Sequence, residues 1–179
     1  MKAAFLFVPS LFVLSFLTFT ATGRAQNAAA GAPGCGTADI KFDVKTDKSQ
    51  HTAAQIETGK AVIYFVEDDT EFQAIPSPTT RIGLDGTWIG ANHGSSYFLV
   101  SIDPGEHHLC ASWQGAMKSN PAHLAAAHFT AEAGKAYYFS VKNTWLLHIM
   151  IPKMELTPLD SDQGQLLASQ FAFSTSHPK

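Results

Sequence analysis

Residues 103–114 read DPGEHHLCASWQ, and the fold follows from whether this stretch is extended or coiled. Asp103-Pro104-Gly105 is a turn signal, because Pro presets φ and Gly accepts the left-handed region. In an extended chain, successive side chains leave opposite faces, so Leu109, Ala111 and Trp113 share one face and His108, Cys110 and Ser112 the other. His107 then falls with Leu109 and His108 with Cys110, and the two adjacent imidazoles diverge instead of gripping one ion. The expectation is a strand whose cysteine serves as a staple.

The rest of the chain repeats this grammar. Ile40, Phe42 and Val44 alternate with Lys41, Asp43 and Lys45, a half-buried strand. GKAVIYFVEDD (residues 59–69) has too few polar breaks for an edge and reads as a central strand buried on both faces. EDDTEFQAIPSPTT (67–80) reads as a loop punctuated by Pro76 and Pro78. TRIGLDGTWIGAN (80–92) folds back at Asp85-Gly86, a strong hairpin signal. SYFLVSI (96–102) leads into the turn at 103–105, and AAHFTAEAG with KAYYFSVK gives two further strands around Gly134. TWLLHIMIPKMELTPL begins extended, and Pro152 and Pro158 exclude a long helix. Only the tail looks helical: Asp160 with Gln163 resembles a capping box, and Leu166, Leu167 and Phe171 would form its apolar face. Eight or nine short strands at roughly ten-residue spacing predict an all-β antiparallel sandwich with a short C-terminal helix.

The first 25 residues carry a different message. Lys2 precedes an uncharged apolar run from Ala3 to about Thr20, followed by Gly23-Arg24-Ala25. That is the pattern of a cleaved secretory signal peptide, with a retained membrane anchor as the alternative. The organisation expected is a signal peptide at 1–25, a flexible leader at 26–36, a β-domain at 37–158, and a helix and tail at 159–179. The segment removed carries two of the 12 basic residues and none of the 15 acidic ones, which leaves a net charge of −5. With no basic run, nucleic acid and anionic membrane surfaces are poor partners, and no membrane insertion is expected once the signal is removed. Export places the chain in the periplasm, the cell envelope or outside the cell. There, its two cysteines, Cys35 and Cys110, are expected to pair. Closing so long a loop is worth about 4 kcal/mol on the loop-entropy model.

Candidate chemistry is sparse. Neither a nucleophile elbow, an HExxH pair nor a phosphate-binding glycine pattern occurs. Glu67, Asp68, Asp69 and Glu71 could form a paired-carboxylate site, although such runs are commonly solvated loops. His148, Met150 and Met154 offer imidazole and thioether ligands of a kind that suits copper, set against their ordinary use as core. Trp88 and Tyr97 lie near turns, where a ring could stack on a sugar or a peptide.

From Gly59 to Val141, GKAVIYF, RIGLDGTWIGAN, SYFLVSIDPGEHHLCA and HFTAEAGKAYYF resemble a family of short exported bacterial proteins, often lipoproteins, classed as a domain of unknown function. The hairpin and the Pro-Gly turn are similar to those of PEGA-type surface β-domains. The resemblance implies an exported sandwich (Ig-like or PEGA-like) and transfers no catalytic residue or cofactor. The chain departs from lipoprotein members in lacking a lipobox before Cys35. The expected function is therefore that of a non-enzymatic module binding an envelope protein or glycan. A copper-binding protein and a hydrolase built on loop carboxylates are the alternatives.

Overall fold

The apolar run that follows Lys60 becomes the longest strand among the described residues and the spine of one sheet. The computed structural model describes residues 34–36, 39–115, 123–146 and 152–179. The proposed signal peptide and most of the leader lie outside them. The elements are β1 (Phe42–Asp47), β2 (Ala61–Phe72), β3 (Thr79–Leu84), β4 (Thr87–His93), β5 (Ser96–Ile102) and β6 (Gly105–Trp113). They continue with β7 (Leu124–Ala131), β8 (Ala136–Trp145), β9 (Lys153–Leu159), α1 (Ser161–Gln170) and β10 (Ala172–Pro178). A six-stranded sheet runs β1-β10-β5-β2-β8-β9, and a four-stranded sheet runs β4-β3-β6-β7.

The odd residues of β2, Ala61, Ile63 and Phe65, face a core shared with Ile82, Leu109, Ala111, Trp113, Phe139 and Val141 from both sheets. The even residues, Val62, Tyr64 and Val66, face the outside of the six-stranded sheet, where Leu167, Ala168 and Phe171 cover them. Burial on both faces is what the unbroken apolar run predicts. Asp85 and Gly86 have φ of 48° and 81°, as the tight β3–β4 turn requires.

Four features depart from the sequence reading. First, β2 continues to Phe72, so the acidic segment at 67–72 is strand instead of loop. Second, the tail beyond the helix is β10, inserted between β1 and β5. Its serines face inward across the stack: Ser176 Oγ accepts from the Ala91 amide at 3.0 Å, and Ser174 Oγ donates to the Ala91 carbonyl at 3.3 Å. Third, the six-stranded sheet is mixed, since β2 pairs with β8 and β5 with β10 in parallel. Long excursions separate both pairs, which is the connection parallel neighbours need. Fourth, the helix uses only part of the apolar face expected: Leu167 and Phe171 pack on the sheet, whereas Leu166 is 49% exposed. Asp160 caps its start by accepting from the amides of Asp162 and Gln163. Gly164 lies against the Tyr138 ring so closely that a Cβ there would overlap it. Pro158 sits in β9 without penalty, because β9 is an edge strand.

Cys35 and Cys110 are bonded, with Cα atoms 5.0 Å apart, and the bridge holds the segment before β1 against the outer face of the four-stranded sheet. Arg81 extends this attachment. Its guanidinium donates to the Ile40 carbonyl at 2.9 Å and lies 4.4 Å from the centre of the Trp88 ring. Replacing both cysteines with serine should lower unfolding stability by about 2–4 kcal/mol in denaturant titration. Unchanged stability would show that the segment needs no covalent tie.

Candidate functional site

Alternation along β2 sends Glu67 and Asp69 inward and Asp68 outward. Glu67 is completely buried. Its Oε1 accepts from Thr80 Oγ1 at 2.5 Å and from Asn143 Nδ2 at 2.6 Å. The same Asn143 nitrogen lies 2.7 Å from Asp69 Oδ1, and Asn143 Oδ1 accepts from Trp113 Nε1 at 2.7 Å. Thr80 and Trp113 belong to the four-stranded sheet and Glu67, Asp69 and Asn143 to the six-stranded one, so these bonds cross the core twice. Nearby, Asn92 Nδ2 donates to the Phe65 carbonyl at 3.2 Å.

The second carboxyl oxygens, Glu67 Oε2 and Asp69 Oδ2, are buried without a partner among the described residues. An ionised carboxylate is costly in such a place, so the acids favour their neutral forms. Burial pushes the Glu67 pKa well up, and the neighbouring Asp69 pushes it further, against the hydrogen bonds from Thr80 and Asn143. Burial likewise raises Asp69 to about 6, against the Asn143 bond and the nearby His93. The other two acids of the run are surface groups. Asp68 Oδ1 accepts from the Thr70 amide and hydroxyl, and Glu71 pairs with Lys142 at 2.9 Å. The four carboxylates therefore do not converge on a loop. With Glu67 out of contact with solvent, the inward pair serves as a pin between sheets and not as an exposed acid and base.

Trp113 is also one wall of a cleft at this end of the protein. A space of about 180 Å³ is lined by Phe72, Pro76, Pro78, Trp113, Gln114, Gly115 and Trp145. The Phe72 ring meets Trp113 and Trp145 edge-on, at 5.5 and 5.8 Å between centroids. Gln114 is committed to the frame, exchanging two 2.7 Å bonds with the Phe42 backbone. Trp145 Nε1 is not: it is a buried donor without a partner among the described residues. Sequence reasoning missed this cleft, because its walls come from β2, the 73–78 loop, β6 and β8. The two prolines and two tryptophans were visible, but nothing local joined them.

The residues singled out earlier fall elsewhere. Trp88 packs under Arg81. Tyr97 is buried, with its hydroxyl accepting from the Thr52 amide at 2.9 Å. Tyr97 lines a larger space of about 270 Å³ with Tyr64, Tyr138, His51 and Gln165. There the Tyr64 and Tyr97 hydroxyls are already occupied in holding the 52–54 segment. His107 and His108 diverge as alternation requires. The two nitrogens of His107 face acceptors, Asp85 Oδ2 at 2.7 Å and the Asp103 carbonyl at 2.8 Å. Burial opposes the charged ring, but those partners outweigh it and hold the His107 pKa above its ordinary value. His148 and Met150 lie outside the described residues, and Met154 is buried in the core. Among the described residues, no group of three or more His, Cys, Asp or Glu side chains is placed to hold a metal ion. Compared with known proteins, the chain matches no family model, no curated protein and no solved structure.

The buried acids set a pH dependence. Because their folded pKa values are raised, the native state holds protons more tightly than the unfolded chain does. Their stabilising contribution is fully present below the unfolded carboxyl range near pH 4. It is lost as pH rises through about 6 for Asp69 and through the raised range of Glu67, well above the ordinary carboxyl value. Glu67→Gln, which keeps the shape and cannot ionise, should therefore gain in melting temperature over the parent as pH rises from 5 to 8. The expected gain at pH 8 is a few degrees, at about 2–4 °C per kcal/mol for a domain of this size. A difference that stays flat or shrinks over that range would mean that Glu67 is ionised in the folded protein.

Proposed function

We propose that this is an exported, non-enzymatic β-domain that holds an envelope protein or glycan through the aromatic cleft at the Trp113–Trp145 end. The observation that carries the reading is the Trp145 indole, a buried hydrogen-bond donor with no partner among the described residues, set among Phe72, Trp113 and two prolines. A cleft of about 180 Å³ suits one ring, smaller than the ~300 Å³ at which drug-sized pockets begin. Aromatic faces take the apolar side of a sugar or a ring-bearing side chain. The Cys35–Cys110 bridge supports an oxidising compartment, and with it export. The tight Asp85-Gly86 hairpin and the Pro104-Gly105 turn support kinship with PEGA-like surface domains. The non-enzymatic reading is supported by the full burial of Glu67 and by the pairing of Asp68 and Glu71 on the surface.

A photo-crosslinking amino acid in place of Ser77, beside the cleft, should capture an envelope component in the cells that make the protein. The same residue in place of Thr130, at the far end of the β6–β7 pair, should not. Trp145→Ala should reduce the Ser77 yield at least tenfold with the fold retained. Equal capture from both positions, or a yield indifferent to Trp145, would rule out the cleft as the docking site.

A further inference from the structure

The divergence of His107 and His108 leaves the second ring facing outward, and the register of β6 with β7 gives it a companion. His108 and His128 are direct cross-strand partners on the outer face of the four-stranded sheet. Their ring centroids are 6.3 Å apart, with the planes tilted by 42°. His128 is exposed and His108 half-buried, and neither ring nitrogen has a hydrogen-bond partner among the described residues. They border an open space of about 250 Å³ shared with Gly34, Leu109, Ala126 and Ala127.

We propose that His108 and His128 form a two-imidazole surface site for a divalent transition-metal ion, tightest for Cu²⁺ and weaker for Zn²⁺. A metal–nitrogen bond of roughly 2 Å puts two cis imidazoles on one ion with centroids about 5 Å apart. From 6.3 Å, that needs only a small turn of the two side chains. The backbone beneath is already fixed. β6 lies between β3 and β7, and Cys110, two residues beyond His108 on the same face, is tied to Cys35. The His108 amide is further anchored to Asp85 Oδ1 at 2.8 Å, which also sets a carboxylate near the site. His107 takes no part, because Asp85 and the Asp103 carbonyl occupy both its nitrogens.

The donor set selects the ion. Two neutral imidazoles suit borderline ions, and the order of affinities for such ligands peaks at Cu²⁺. Both sulphurs are sealed in the disulfide, so no thiolate is present to favour Cu⁺. Hard ions such as Ca²⁺ and Mg²⁺ prefer several oxygens. The cavity leaves room for water to complete the coordination shell. The site uses none of the residues of the aromatic cleft, so either can fail without the other.

Calorimetric titration of the full chain with CuCl₂, paired with electron paramagnetic resonance, decides the matter. The expected result is one Cu²⁺ per chain whose spectrum shows two coordinated imidazole nitrogens. His108→Ala and His128→Ala should each weaken binding at least tenfold, whereas His107→Ala should leave it unchanged. Both substituted side chains project from the outer face, and the spectrum of the unsubstituted protein tests the idea without any variant. Absence of binding at micromolar copper, a spectrum with one imidazole or none, or affinity that survives the His108→Ala, His128→Ala double change would overturn the proposal.

Discussion

Across the core, the Thr80 hydroxyl of one sheet donates to the Glu67 carboxyl of the other, and the Trp113 indole donates back across the same gap to Asn143. Asn143 closes the circuit by bonding Glu67 and Asp69. Hydrophobic burial alone brings two sheets together with little preference for their relative slide. A polar group in that layer is different, because a buried acid without its partners costs more than an apolar one with a slightly poorer fit. The sheets are thus held in one alignment. The condition is that Glu67 stays neutral, since its second oxygen meets no partner among the described residues.

The same constraint reaches the surface through Trp113. One edge of that side chain is fixed by its bond to Asn143, and its ring forms a wall of the end cleft. A tryptophan pinned from inside presents a preset surface to a ring docking from outside, so less ordering is needed on binding. Phe72 belongs to both regions too, as the last residue of the strand that carries Glu67 and Asp69. The orientation of the cleft is therefore tied to the hydrogen bonding of the core.

Much of the fold was legible because its signals are local. Alternation around Leu109 to Trp113, the Asp85-Gly86 and Pro104-Gly105 turns and the double-sided burial of β2 all follow from neighbours in sequence, and the disulfide follows from there being two cysteines to pair. What escaped depends on distant partners. Glu67-Asp68-Asp69 looks like a solvated loop, and it is Thr80 together with Asn143, 76 residues from Glu67, that makes two inward acids tolerable in a strand. AFSTSHP, after a helix, looks like a tail, yet its serines suit it to a slot between β1 and β5 where they meet the backbone of β4. The expected apolar helix face missed Gly164, whose lack of a side chain is the feature used against Tyr138. The meeting of His108 with His128 is a matter of register, which neither strand encodes alone.

The central claim is that a neutral Glu67 pins the sheets. It is tested most directly by carbon-13 NMR titration of the Glu67 side-chain carboxyl in the folded protein. A midpoint displaced well above the free-glutamate value of 4.5, accompanied by shifts at the Trp113 indole, is the result predicted. Titration near 4.5 with the Trp113 indole signal unmoved would contradict the account.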